Sequence, residues 1–398
     1  MQKNVEDFGH IWYNNIVIKN IKFLPKKESF MKLYCDGLEL SDAVLKVIKA
    51  SSAKTINPIL EGIKLTAEDG TLTLVCTDGE LAIEKKIKAE IRMEGETVVP
   101  GKLFSEFVKK LSNEQIELDL NEKNQLKLKC SDSEVYIQCQ DAKEFPNIQQ
   151  ISNAQFFTLK QADLKNIIER TIFSVALDDS RPILKGCLFE VNKTELKSVS
   201  LDGYRMALAT CPVIDCSSDT SVIIPGRSLN ELSKLLLDED EKIRLLIQKN
   251  YLMVQIDSTK IITRLLGTGA DYINYNQIIP TSFTTEVVVN KSQLEEALER
   301  ASILARASND SSARFDFAEK LLTLSAKSEI GNITDKISIA LTGDNLSINF
   351  DTFFVREALR TVSDEFIKIK LNGPVNPCVI TPHTGNEYLF LILPMKQL

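Results

Sequence analysis

Apolar and polar residues alternate in short runs along most of the chain. Thr71-Leu72-Thr73-Leu74-Val75-Cys76, Gln125-Leu126-Lys127-Leu128-Lys129-Cys130 and Glu134-Val135-Tyr136-Ile137-Gln138 each repeat with a period of two, the mark of a strand with one buried face. Two stretches of helical spacing recur among these runs. One follows a cap signal at Ser41 and places Val44, Leu45 and Ile48 on one side; its later relative carries Leu164, Ile167 and Ile168. The other begins after Pro100-Gly101 and again after Pro225-Gly226. The expected unit is therefore α+β, with strands in one layer and two amphipathic helices in the other.

The same unit is written more than once. Pro58-Ile59-Leu60-Glu61-Gly62 returns as Pro182-Ile183-Leu184-Lys185-Gly186, and Asp78-Gly79 as Asp202-Gly203, both 124 residues on. Pro100-Gly101-Lys102 returns as Pro225-Gly226-Arg227 after 125 residues. Matches in one order at one offset mean a duplicated globular unit rather than a short solenoid repeat. A fainter third copy lies at 353–362, where Glu357 and Arg360 follow Glu231 and Lys234 by 126 residues. Residues 1–30 match none of the copies. They are polar, lack the continuous apolar core of a signal peptide and contain Trp12, the only tryptophan. The reading is a poorly ordered extension over 1–30 followed by domains at 31–150, 151–280 and 281–398.

Composition changes the picture mainly by exclusion. At 43% hydrophobic and 26% charged the chain is of ordinary globular type, without an apolar run long enough to span a membrane. The eight cysteines are scattered, which suits buried, reduced thiols in a cytoplasmic protein better than a zinc site. The two histidines are His10 and His383, and no phosphate loop, metal cluster or nucleophile with its base is apparent. Neither catalytic residues nor a cofactor or metal is expected.

Charge adds a direction. Lys102, Glu106 and Lys109 share one helix face, and Arg227, Glu231 and Lys234 repeat them 125 residues later; Lys46 is matched with Lys165. The helical stretches sum to roughly +5 within a chain of net charge −7. A weakly positive layer on an acidic body would hold phosphate loosely and without reading bases.

These residues resemble a family. Asn57-Pro58-Ile59-Leu60, Glu144-Phe145-Pro146-Asn147, Leu201-Asp202-Gly203-Tyr204-Arg205-Met206-Ala207 and the ending Leu391-Ile392-Leu393-Pro394-Met395-Lys396 resemble the bacterial sliding clamps, the beta subunits of DNA polymerase III, over Met31 to Leu398. The resemblance implies a head-to-tail homodimer closed into a ring, with helices lining the hole and sheets outside. It further implies that duplex DNA is encircled, and that the replicative polymerase, the clamp loader and repair or translesion proteins bind through short peptides. Facing DNA would be Lys46, Lys49, Lys54, Lys102, Lys109, Lys165, Arg181, Arg227 and Lys234. The seam would set Val135 and Ile137 against Ile303 and Leu304, although ordinary core burial explains the same four residues. The peptide pocket would lie between domains two and three, lined by Leu184, Leu201, Gly203, Tyr204, Arg205, Met206, Ile278 and Leu391 to Lys396, with Tyr204 and Arg205 at its polar rim and Met206 and Met395 as adaptable walls. Ile273, Gln277 and the extra Gln397 depart from the family pattern there. The competing class is a clamp-like protein scaffold that does not encircle DNA.

Because residues 1–30 stand outside the repeat, a chain starting at Met31 is expected to keep its melting temperature. A fall of several degrees, at least ~1 kcal/mol in a protein of this size, would show that the extension packs.

Overall fold

The computed structural model describes residues 30–51, 57–111, 114–152, 154–308 and 311–395. Within them one arrangement occurs three times: a strand, a helix, a block of antiparallel strands, a second helix and a further strand block. The helices are α1 (Gly37–Val47), α2 (Gly101–Val108), α3 (Gln161–Ile172), α4 (Gly226–Ser233), α5 (Lys291–Ser308) and α6 (Thr352–Arg360). They pack in pairs, α1 with α2, α3 with α4 and α5 with α6. One continuous apolar core holds the buried stripes of these helices and one face of every sheet. The three-unit α+β architecture expected from the pattern is therefore the one observed.

Local chemistry explains where the helices start. Asp36 ends the strand Met31–Asp36, and its carboxylate turns back to accept the N–H groups of Leu38 and Glu39 at 2.9 and 2.8 Å. That cap puts the start of α1 four residues ahead of Ser41, the cap expected from sequence. The buried stripe is Leu40, Ala43, Val44 and Val47, while Leu45 and Ile48 lie at its flank. In α3 the buried positions are Leu164, Ile167, Ile168 and Thr171, again 124 residues on. This register makes Arg170 the counterpart of Lys46 and Ser41 that of Lys165, so the pairing of the two lysines is a correction to the sequence reading. The Pro-Gly phrase has a steric origin. A Cβ on Gly101 would come 2.6 Å from both the Glu61 carbonyl oxygen and the Ile48 side chain, so only glycine fits.

Two of the sheets cross from one unit to the next. Leu81–Lys88 pairs antiparallel with Thr259–Arg264, placing Ile83 opposite Ile261 and fusing units one and two into a nine-stranded sheet. Arg205–Pro212 pairs likewise with Tyr388–Ile392, placing Met206 opposite Leu391 within a thirteen-stranded sheet that joins units two and three. The equivalent strands at the two ends of the chain have no such neighbour among the described residues. Ser133–Gln138 is the last strand of a five-stranded sheet. Residues 331–338 of Gly331–Gly343 pair on one side only, with Leu321–Ser328.

Phe104 of α2 is wholly buried between helix and sheets. Phe104→Ala is expected to destabilise the first unit by about 3–5 kcal/mol. The check is a lower denaturant midpoint for its transition with little change in slope.

Candidate peptide pocket, channel face and closing edges

Each strand of the second junction serves both faces of its sheet. Met206 and Leu391 point outward and join Leu184, Leu201, Val199, Val379, Tyr272 and Tyr275 in a separate apolar cluster. Leu184, Leu201, Met206 and Leu391 are all nearly inaccessible, so they form a floor; Met206 is not the exposed adaptable wall expected of it. Burial pushes the Tyr272 phenol well above the usual tyrosine range, so it stays protonated and acts as an apolar wall. Above this floor stand exposed apolar groups: Tyr204, Ile278, Leu393 and Met395. The segment after the last strand is pinned beside them, with Leu393 N–H donating to the Tyr204 carbonyl and Met395 N–H to the Asn349 carbonyl, both at 2.9 Å. Pro394 lies between these two bonds and is half-buried. Ile273, one of the departures from the family pattern, is half-buried against the floor. Lys396 and Gln397 fall outside the described residues.

Two expected pocket residues point the other way. Ile392 alternates with Leu391 and is buried in the main core beneath the sheet. Arg205 alternates with Met206 and is only 7% exposed. Its guanidinium bonds Asp202 at 3.0 Å, Glu357 of α6 at 2.6 Å and the Phe173 carbonyl at 2.6 Å. It also lies 4.6 Å from the ring of Phe354. Every direction is occupied, so Arg205 ties unit two to unit three and is not a polar rim for a peptide. Asp202 supports the tie from the hairpin turn, where it also accepts the N–H groups of Tyr204 and Arg205. Gly203 provides φ +95° in that turn. Tyr204 is exposed beside the floor and stacks on Phe354 at 6.1 Å. Sequence reading missed Phe354, because the third copy of the repeat is the faintest.

The first junction shows why its outer face differs. A groove of about 710 Å³ lies there, lined by Lys64, Glu84, Lys86 and Lys260 together with Val75 and Ile262. The 124-residue offset puts Leu188 and Leu208 where Lys64 and Glu84 stand. The fold is shared, and the first junction sets these charges beside a smaller apolar cluster of its own, Ile59, Val75, Val98, Ala142 and Phe145.

The basic residues predicted on the helices divide into several kinds. Lys102, Lys109 and Arg181 are exposed, Lys165 is half-buried, and none of the four pairs with an acid among the described residues. Lys46 is paired with Asp42 at 2.8 Å and Lys234 with Glu231 at 2.7 Å. Lys49 lies 4.0 Å from Glu231 across the first junction. Arg227 is not a free phosphate ligand: it pairs with Asp78 of the first unit and donates to the carbonyls of Lys49 and Ser51. Lys54 lies outside the described residues.

The expected seam residues also divide. Ile137 is 2% exposed and Val135 half-buried, both turned into the core of their own unit. They lie on the inward face, the one on which Ile83 and Ile261 meet at the first junction; on the same edge strand Tyr136 projects outward, 56% exposed. At the other end Ile303 is 65% exposed and Leu304 lies beside it, and Ile330 in the adjoining hairpin turn is 74% exposed. Ile330 was missed because a lone apolar residue in a turn has no periodic signal.

Among the described residues no group of three or more His, Cys, Asp or Glu side chains could hold a metal, and no helix is long and apolar enough to cross a membrane. Three like units joined edge to edge, with paired helices in one layer, sheets in the other and an apolar floor at the second junction, define a clamp-type protein. Models of the DNA polymerase III beta subunit match all three units: the N-terminal domain over residues 31–149, the central domain over 158–270 and the C-terminal domain over 276–396. The beta sliding clamp of Bacillus subtilis is 30% identical over 379 residues, covering 92% of this chain and all of that one. That of Staphylococcus epidermidis is 29% identical over 359 residues, covering 88% and 95%. The crystal structure of the Bacillus subtilis sliding clamp superposes with a TM-score of 0.88 at 29% identity, covering 93% of this chain and all of that one. The chain belongs to the DNA polymerase III beta subunit family, a non-catalytic one.

Arg205→Ala would leave Asp202 and Glu357 without their shared counter-charge, with an expected cost of about 3–5 kcal/mol. Arg205→Lys should recover only part of it, because an ammonium cannot serve three directions in a plane. Thermal denaturation of both variants checks the order.

Proposed function

We propose that this chain is a DNA sliding clamp, a processivity factor that closes around duplex DNA as a head-to-tail dimer and holds polymerase and other partners by short peptides. The observation that carries the reading is the repetition of one junction. Two junctions inside the chain are continuous strand pairings, and the two outer strands of the same kind are unpaired among the described residues. An open sheet edge invites pairing with another chain, and a second copy satisfies both edges at once. The repeat supports a register for this seam. Hairpin geometry makes Val135 the counterpart of Ile261 and Ile333 that of Ile83. Val135 would thus lie opposite Ile333 of a second copy, as Ile261 lies opposite Ile83.

On the helical side, Lys109, Lys165, Arg181 and Lys234, with Lys46 and Lys49, would meet phosphates without reading sequence. On the outer side, the floor of Leu184, Leu201, Met206 and Leu391 and the rim of Tyr204, Ile278, Leu393 and Met395 would take a peptide carrying a Gln followed by Leu and Phe. The domain limits proposed are 31–150, 151–280 and 281–398.

Replacing Ile303 and Leu304 together by Glu should give monomers in sedimentation at low concentration, since charge would be buried unpaired at the seam. Removing Met395 to Leu398 should abolish peptide binding in calorimetry and leave the dimer intact. Binding at unchanged affinity would place the pocket elsewhere. Neutralising Lys109, Lys165, Arg181 and Lys234 should lower DNA affinity alike for all sequences and reduce the slope against log salt by about 0.9 for each lost contact. Selective loss on some sequences would contradict sliding.

A further inference from the structure

At both junctions inside the chain, the start of the second helix of one unit meets a hairpin turn of the unit before it. Arg227, the second residue of α4, pairs with Asp78 in the turn after Thr71–Thr77. In α6 the second residue, Phe353, lies 5.6 Å from the Arg205 guanidinium, and the third, Phe354, stacks on Tyr204 in the turn after Glu195–Leu201. The matching residues of α2 are Lys102 and Leu103. Among the described residues no hairpin turn of another unit covers them. Leu103 is 44% exposed, whereas its counterpart Ser228 is 4% exposed. Glu106 is likewise exposed where Glu231 and Glu357 are largely covered.

The matching hairpin turn of the third unit runs from Ser328 to Gly331, and among the described residues no helix start of another unit meets it. It has the same length as the other two, since Ser328 opposite Gly331 repeats the closure of Asp78 on Leu81 and of Asp202 on Arg205. Its chemistry is displaced by one residue. Neutral Ser328 stands where the other turns have Asp, and Glu329 stands where they have Gly79 and Gly203. Gly79 and Gly203 have φ near +95°, a conformation Glu329 does not adopt, so this turn takes a different backbone course. Glu329 and Ile330 are both exposed.

We propose that Lys102 and Leu103 are seam residues: Leu103 packs on the partner subunit's Ile330, as Phe354 does on Tyr204, and Lys102 pairs with the partner subunit's Glu329, as Arg227 does with Asp78. This rests on the ring reading and takes Lys102 out of the set that meets DNA. An apolar contact beside a charge pair fixes the register of the two edges, because a slip of one residue would separate both.

The test is a charge-exchange cycle followed by sedimentation over graded concentrations, with circular dichroism to confirm folding. Lys102→Glu and Glu329→Lys should each weaken the dimer by about fivefold or more, and the two together should recover most of the loss. Leu103→Ser should weaken it without recovery by either change. An unaltered dimer constant for Lys102→Glu, with a shallower salt dependence of DNA binding, would make Lys102 a phosphate ligand and overturn the proposal. So would two single losses that simply add in the double variant. A monomeric unaltered chain would instead remove the ring reading itself.

Discussion

Backbone groups at a sheet edge must be paired, and the whole molecule is arranged around that requirement. Each unit has an edge strand that no strand of its own covers. Inside the chain the next unit covers it: Leu81–Lys88 is met by Thr259–Arg264, and Arg205–Pro212 by Tyr388–Ile392. Exposed edges are a liability that proteins remove by charge, by cover or by closure. This chain removes two by cover; the outer pair, Ser133–Gln138 and residues 331–338, has one side open among the described residues, which the proposed ring would close. The recurrent Asp-Gly phrase follows from the same need. It builds the hairpin turn beside the junction, and its Asp holds the neighbouring unit through Arg227 or Arg205.

The two faces of the junction strands connect this architecture to function. At the second junction Arg205 faces inward and locks α6, while Met206 faces outward and forms part of an apolar floor. One residue of alternation separates the structural role from the binding role. The first junction has the same strands and turn, but its outer groove sets Lys64, Glu84, Lys86 and Lys260 beside a smaller apolar cluster. The difference between the two outer faces therefore lies in side-chain identity at a few outward positions, not in the fold.

Much of this was legible in sequence. Strand alternation, the Pro-Gly helix starts and the 124-residue offset are local or self-referential signals, and they led to three α+β units. The family phrases pointed to the outer face between units two and three, where the separate apolar cluster lies. The direction of individual side chains was not legible. Arg205 and Ile392 were placed on a surface they do not face, because a list of neighbouring residues ignores the period of two along a strand. Arg227 looked like a phosphate ligand because its partner Asp78 lies 149 residues away. The start of α1 was misplaced because Asp36 closes a strand before it caps the helix.

The central claim is that a second copy closes the ring in the register that the repeat dictates. Tyr136 of one copy then lies directly opposite Asn332 of the other, as Ile262 lies opposite Ala82. Directly opposed residues of antiparallel strands have Cα atoms about 4.5–5.5 Å apart, within the span of a disulfide. Cysteines introduced at positions 136 and 332 should therefore form two intermolecular bonds under mild oxidation. The product should be a covalently closed dimer that, once loaded, stays on circular DNA through denaturant and is released when the DNA is cut. Cross-linking that prefers position 331 or 333 over 332, or that yields open chains of more than two copies, would contradict the account.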